Sequence, residues 1–150
     1  MLQRVRDRTR DDLGSVVLEF ALLAPILLML VMGIIDFGYM LNRDSVINNA
    51  ARDAARVASL DGDYATIQQT VDDELGDVGI SGSGLTVTIC ADGSCGSSYD
   101  GAAKSGSTVK VTVSYVHHWL TPIGAMCSMF GDRCTGDTIT LTRTAEMVRE

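Results

Sequence analysis

Hydrophobic and polar positions divide the chain into one long apolar stretch and a later region of mixed periodicity. Sixteen uncharged, overwhelmingly apolar residues lie between Phe20 and Ile35, and only Glu19 and Asp36 interrupt the apolar character of residues 13–41. At about 1.5 Å per residue, the sixteen cover roughly 24 Å and the longer stretch roughly 40 Å, against a hydrocarbon core of about 30 Å. The pattern predicts one helix that spans a membrane with some tilt.

This helix is expected to stay in the membrane as a bent anchor. A secretory signal has an apolar region of about 7 to 15 residues followed by a small-residue cleavage site, and residues 36–43 contain no such site. A buried helix of a soluble protein needs only about 10 to 14 apolar residues. Pro25 lies inside the span, where it removes one backbone hydrogen bond and is predicted to kink the helix.

After Asp36 the pattern becomes that of an Ala-rich amphipathic helix, which is predicted to continue to about residue 60. Small and apolar residues recur at spacings of three and four, a pattern typical of one buried helix face. They are Ile47, Ala50, Ala51, Ala54, Val57 and Ala58. Such a face can pack against the sheet of its own domain or against the helix of a neighbouring molecule. The sequence leaves both possibilities open.

The rest of the chain predicts a second helix and three strands. Apolar residues four apart indicate a helix from Asp63 to about Gly76, with the glycine as a stop signal. Alternation of apolar residues with Thr, Lys or Arg predicts strands over Leu85–Cys90, Thr108–Val116 and Thr138–Val148. The predicted fold class is therefore α+β: a long N-terminal transmembrane and amphipathic helix, a second short helix and a three-stranded antiparallel sheet.

Two long connections join the strands, and each holds or borders a pair of cysteines. Loops of this length are uncommon unless they are functional or covalently closed. The four cysteines of an exported domain predict two disulfides, with Cys90–Cys95 and Cys127–Cys134 favoured among three connectivities. Zinc is the alternative, but the spacings are looser than usual ligand loops. The second connection is a candidate interaction loop, with the apolar residues Trp119, Leu120, Ile123, Met126, Met129 and Phe130.

Charge and motif content argue against several functions. The net charge is −7 for the whole chain, and from Asn42 onward fourteen acidic residues stand against eight basic ones, a net of −6. This charge disfavours binding of nucleic acid by the isolated domain. We find neither a nucleophile elbow nor EF-hand spacing, and we expect no enzymatic activity, cofactor or metal site. His117 and His118 suggest either a metal or switch site, or simply a strand end with one side chain inside and one outside.

The segment Gly14 to Phe20 has the form G-x-x-x-x-E-F at the mouth of the apolar helix. A carboxylate at the centre of a membrane costs about 2.5 to 3.5 kcal/mol, and less near the interface. Glu19 is therefore either a functional acid with a partner or a side chain that reaches the headgroups.

Four segments of residues 12–58 together resemble the TadE-like family, the pseudopilins of the tight-adherence (Flp, type IVc) pilus machinery. They are Gly14–Phe20, Ala21–Pro25, Gly33–Gly38 and Asn49–Arg56. The resemblance implies a prepilin leader that a membrane prepilin peptidase cuts between Gly14 and Ser15. It further implies that Glu19, with Phe20 beside it, serves in recognition or assembly.

The resemblance also settles the expected orientation. The flanking arginines, four in residues 1–13 against Arg43, Arg52 and Arg56, leave only a thin margin under the positive-inside rule. Cleavage on the cytoplasmic side implies a single-pass protein of the cell membrane. Its predicted parts are a cytoplasmic leader (1–14), a transmembrane helix (15–41) and an extracytoplasmic α+β domain (42–150), close in plan to a pilin.

We therefore expect a non-enzymatic minor pilin or pseudopilin that takes part in assembly, initiation or the tip of a tight-adherence pilus. It would act by lateral packing of its apolar helix. The expected partners are the prepilin peptidase, other pilin or pseudopilin subunits, the pilus assembly platform and the membrane. The alternative is a membrane-tethered extracytoplasmic protein that binds a ligand or mediates adhesion without entering a filament.

Overall fold

In the described part of the chain, a long helix and a second short helix pack with one antiparallel sheet, and a one-turn helix lies between two of the strands. A computed structural model describes residues 2–60, 62–96, 99–121 and 138–150. In chain order, the elements are α1 (Leu2–Ser59), α2 (Tyr64–Gly76), β1 (Leu85–Ala91), β2 (Ser94–Cys95), α3 (Tyr99–Ala102), β3 (Thr108–His118) and β4 (Thr138–Val148). The predicted α+β class, with a long N-terminal helix and a second short one, is confirmed.

Helix α1 is continuous through the apolar stretch and the amphipathic region, as the periodicity predicted. It ends at Ser59 and begins already at Leu2, within the predicted leader. Arg, Leu and Gln have high helix propensity, and residues that extend a formed helix avoid the cost of nucleation. The helix continues through Pro25, and the predicted kink there stays a prediction.

The core of the domain is built on an alanine face of α1, which we define as Ala50, Ala51, Ala54, Ala55 and Ala58. All five residues are fully buried. They pack against β3, β4 and α2, and the facing core includes Val109, Val111 and Val113 from the sheet and Ile67, Val71 and Leu75 from α2. Of the two possibilities that the sequence left open for this face, the structure shows packing within the same chain.

Helix α2 begins and ends near the predicted positions. The Oδ1 atom of Asp63, the N-cap residue, accepts a hydrogen bond from the backbone N–H of Thr66 at 2.8 Å, which satisfies one of the free donors of the first turn. Hydrogen bonds from the side chain and from the backbone N–H of Thr66 lower the pKa of Asp63. Beyond Gly76, the N–H of Ile80 donates to the carbonyl of Leu75 at 2.9 Å, which returns the chain to the core.

Within the described residues, the sheet has four strands in the order β2-β1-β3-β4, all antiparallel. The three long strands confirm the prediction, but the predicted number of three was wrong. The additional strand, β2, arises because Asp92 and Gly93 both have positive φ, 46° and 85°, and turn the chain straight back onto β1. Positive φ at both central residues is the requirement of the type I′ hairpin turn, for which Asp-Gly is a favoured pair.

One of the two expected disulfides lies within this hairpin. Cys90 and Cys95 are opposite each other in the β1–β2 register and are bonded, with an S–S distance of 2.09 Å. Cys127 and Cys134 lie outside the described residues, so their pairing stays a prediction. The first long connection is thus closed covalently within a few residues of its start.

Removal of the Cys90–Cys95 bond should destabilise the domain moderately. Cys90→Ser combined with Cys95→Ser is expected to lower the free energy of unfolding by about 2 kcal/mol, because a short closed loop restricts the unfolded chain only modestly. Thermal unfolding of the full chain, followed by circular dichroism, measures the change. Ser94→Ala, in the same hairpin with the bond intact, should change stability by less than about 0.5 kcal/mol. An unchanged midpoint in the double serine variant would show that the turn alone maintains the hairpin.

Candidate functional site

The first candidate surface is the apolar part of α1, which extends beyond the domain. Part of the segment Ser15–Ser59 has the length and composition of a membrane span, and that part is not buried against the described chain. Large side chains along it, such as Phe20, Leu22 and Ile26, are two-thirds exposed. Glu19 is exposed on the same segment, one helical turn after Ser15. The predicted processing and assembly residues therefore lie at the beginning of an uncovered apolar helix.

A cluster of polar and aromatic side chains lies where this helix meets the sheet. We call it the polar junction and define it as Asp36, Tyr39 and Arg43 of α1 with Tyr115, His117 and Trp119 at the end of β3. Among the described residues, three polar side chains are buried in the chain: Asp36, Ser107 and His117. Two of the three belong to the polar junction, so the cluster holds most of the buried polar side chains in the described part of the domain.

Asp36 connects the apolar helix to the connection that follows β3. Its side chain is only 1% exposed. Its Oδ1 atom accepts a hydrogen bond from the backbone N–H of Leu120 at 3.0 Å, and its Oδ2 atom accepts one from the hydroxyl of Thr121. A buried carboxylate without such donors would be costly. These bonds therefore satisfy the acid and fix the beginning of the connection to the helix.

Arg43 joins the helix to β3 through two tyrosines. Its Nη1 atom donates to the hydroxyl of Tyr115 at 3.3 Å, and its Nη2 atom donates to the hydroxyl of Tyr39. The guanidinium carbon also lies 4.6 Å from the ring centroid of Tyr39 and 5.5 Å from that of Tyr115, distances that permit cation–π attraction. One residue further, Asp44 forms an ion pair with Arg143 of β4 at 2.5 Å.

His117 occupies the centre of the polar junction. It is 1% exposed, and its centroid lies 5.7 Å from that of Tyr39 and 5.8 Å from that of Trp119. Its Nε2 atom has no hydrogen-bond partner among the described residues. Burial lowers the pKa of His117, and the charge of Arg43 lowers it further, whereas Asp36 acts in the opposite direction. The strand end has His117 inside and His118 outside, as one of the two sequence interpretations held.

The candidate interaction loop is described only at its beginning. Trp119 is half-buried against His117, and the side chain of Leu120 is 59% exposed. Ile123, Met126, Met129 and Phe130 lie outside the described residues. Within the described ranges, no group of three or more His, Cys, Asp or Glu side chains could hold a metal ion.

Sequence reasoning missed the α1 side of the polar junction. A signal was present, because Asp36, Tyr39 and Arg43 recur at spacings of three and four on one helix face at the end of the apolar stretch. An acid within an apolar helix calls for a partner, and Asp36 meets that description as well as Glu19 does. The partners of Asp36, by contrast, lie 84 and 85 positions away in sequence, where periodicity gives no information.

His117 should make the domain less stable in mild acid. Because its pKa is lowered in the folded chain, His117 binds a proton there only at a lower pH than in the unfolded chain, where the pKa is about 6.5. The free energy of unfolding should therefore fall as the pH decreases from about 7 to about 5. Urea unfolding at several pH values measures this slope. His117→Gln should flatten it, whereas His118→Gln, at the exposed neighbouring position, should retain it. Equal slopes in both variants would contradict the assignment.

Comparison with known proteins finds one family model that matches most of helix α1. Residues 14–56 match the family model described as TadE-like protein. No curated protein and no solved structure matches the chain. The match begins at Gly14 and ends at Arg56, so it includes the exposed apolar helix and the α1 side of the polar junction, but none of the sheet. The resemblance to the TadE-like family is therefore confirmed over residues 14–56.

Proposed function

We propose that the chain is a minor pilin or pseudopilin that takes part in assembly, initiation or the tip of a tight-adherence pilus. One observation carries this proposal: the apolar half of α1 is uncovered, whereas the alanine face of the same helix is already buried in the domain. Lateral contacts with other subunits must then use the apolar half. The family match over the same residues supports an association with the tight-adherence pilus.

The position of Glu19 adds a reason for contact with other subunits. A lipid environment alone would cover the exposed Leu, Ile and Val side chains, but it would leave the carboxylate without a partner. The cost is smaller than the about 2.5 to 3.5 kcal/mol of the membrane centre, because Glu19 lies near the end of the span. Cleavage after Gly14 would create a free amine on Ser15 at the same end of the helix. At about 4 Å and an effective dielectric near 20, an amine and a carboxylate attract by roughly 4 kcal/mol before desolvation.

In this proposal the pair forms between Glu19 of one subunit and Ser15 of another and selects the register of neighbouring helices. The apolar side chains supply most of the association energy. The leader, residues 1–14, faces the cytoplasm and is removed by the prepilin peptidase, and the domain lies on the opposite side of the membrane. The role is structural, and the partners are other pilin or pseudopilin subunits and the assembly platform.

Processing is the first test of this proposal. In cells with an active prepilin peptidase, the mature chain should begin at Ser15, because Gly14 has no side chain to obstruct the cut. Gly14→Glu should leave the full-length chain, whereas Ser45→Ala, at an exposed position further along α1, should be processed normally. N-terminal sequencing of the purified proteins measures both. Wild-type protein that begins only at Met1 would contradict a prepilin function.

Assembly is the second test, and Glu19 is the residue to vary. Glu19→Ala and Glu19→Gln should insert in the membrane normally, because loss of a charge eases insertion, but should no longer crosslink to pilus subunits. Glu19→Asp should be partly defective, because its carboxylate is drawn back toward the helix. Asp72→Ala removes an exposed acid of α2 and is the matched control. Crosslinking of Glu19→Ala at the wild-type yield would favour a tethered binding protein in which Glu19 only reaches the headgroups.

A further inference from the structure

We propose that one end of the domain is docked in the headgroup layer of the membrane that α1 crosses. The docked surface, which we call the membrane-proximal rim, consists of Phe37 of α1 with Trp119 and Leu120 at the beginning of the β3–β4 connection. The partner is the phospholipid bilayer itself, on the side where the domain lies. The proposal requires that α1 spans a membrane, but it does not require a pilus.

The length of α1 determines where the membrane-proximal rim lies along the bilayer normal. A hydrocarbon core of about 30 Å takes about 20 helical residues, and 20 residues counted back from Asp36 reach Val16. Asp36 therefore lies at the boundary between hydrocarbon and headgroups. If the boundary lay instead at Arg43, the next charged residue of the helix, Asp36 would be roughly 10 Å deeper. With either placement of the boundary, Asp36 lies within the bilayer or at its surface and not in bulk water.

Asp36 holds the rim at this height. The N–H of Leu120 lies 3.0 Å from its Oδ1 atom, and the hydroxyl of Thr121 bonds to its Oδ2 atom. The beginning of the connection therefore cannot leave the level of Asp36 without breaking two hydrogen bonds to a buried carboxylate. These bonds also satisfy the carboxylate of Asp36, which therefore needs no hydrogen-bond donor from the lipid.

The side chains at this level are those that bilayer interfaces favour. Trp and Tyr are enriched in the headgroup layer because their rings are amphipathic, and Trp119 and Tyr39 both flank His117 here. Phe37 and Leu120 are 56% and 59% exposed. Exposure alone does not identify a membrane contact, because Val148 is 61% exposed as well. The membrane-proximal rim differs from Val148 because its position is fixed at the level of Asp36.

Val148 lies at the opposite end of the sheet. The register of β3 and β4 pairs it with Thr108, whereas His118 at the rim end pairs with Thr138. The chain just beyond Val148 contacts the end of α1, since the N–H of Glu150 donates to the carbonyl of Ser59 at 3.1 Å. Ser59 is more than about 30 Å along the helix from Asp36. The chain therefore offers an equally exposed apolar residue far from the membrane as an internal control.

The only tryptophan of the chain makes the test direct. Full-length protein is reconstituted at low density into phosphatidylcholine and phosphatidylglycerol vesicles whose lipids carry a nitroxide quencher near the headgroup or deep in the acyl chain. We expect the shallow label to quench Trp119 roughly twofold more than the deep label, and acrylamide in the water to quench it weakly. Strong quenching by acrylamide, or equal quenching at both depths, would overturn the proposal.

Variants test separately the side chains of the membrane-proximal rim and the Asp36 hydrogen bonds that fix its position. Leu120→Asp should reduce quenching by the shallow label, whereas the matched Val148→Asp should leave it unchanged. Asp36→Ala should also reduce it by freeing the connection, and circular dichroism of each variant establishes that the domain is folded. Trp119→Phe combined with Val148→Trp moves the only tryptophan to the far end, where acrylamide and not the lipid label should quench it. Unchanged shallow quenching in a folded Leu120→Asp protein would refute the docking. Because the vesicles contain no pilus components, this result is independent of the assembly test.

Discussion

The fold depends on the close approach of one helix to its own sheet and second helix, an approach that only small side chains permit. Ala50, Ala51, Ala54, Ala55 and Ala58 are all fully buried, so β3, β4 and α2 lie directly against the backbone of α1. A larger residue on this face would overpack the core, at a cost of about 1 to 3 kcal/mol. One continuous helix thus has two halves with opposite preferences. The second half needs the domain around it, and the first half needs an apolar environment outside the domain.

The polar junction lies where these two halves meet, and its chemistry suits that place. Arg43 bonds to a tyrosine of its own helix and to a tyrosine of β3, and Asp36 binds the chain beyond β3. Apolar packing alone allows a helix to slide or rotate over a sheet, whereas directional bonds to buried groups fix one arrangement. We therefore interpret the cluster as the part of the molecule that sets the angle between the apolar helix and the sheet.

The elements that sequence predicted well are those with a local signal. The periodicities of α1 and α2 and the alternation of three strands each depend on neighbours along the chain, and the Cys90–Cys95 pair is close in sequence. Strand β2 was missed because its turn lies in a Gly- and Ser-rich segment, although Asp92-Gly93 carries the hairpin signal. The environment of Asp36 could not be predicted, since its donors lie 84 and 85 positions away. The partner of the alanine face could not be predicted either, because a sheet and a neighbouring helix both bury small residues.

The contact between the first helix and the last strand has a consequence for the order in which the protein can form. Asp44 pairs with Arg143, 99 positions later, and the backbone of Glu150 bonds to that of Ser59. The alanine face consequently stays partly uncovered until nearly the whole chain has been synthesised and has reached one compartment. Contacts between such distant segments slow folding and prolong the exposure of apolar surface. A chain whose C-terminal strand is delayed would therefore expose a second apolar helix face, and neighbouring nascent chains would be prone to pair through it before they are complete.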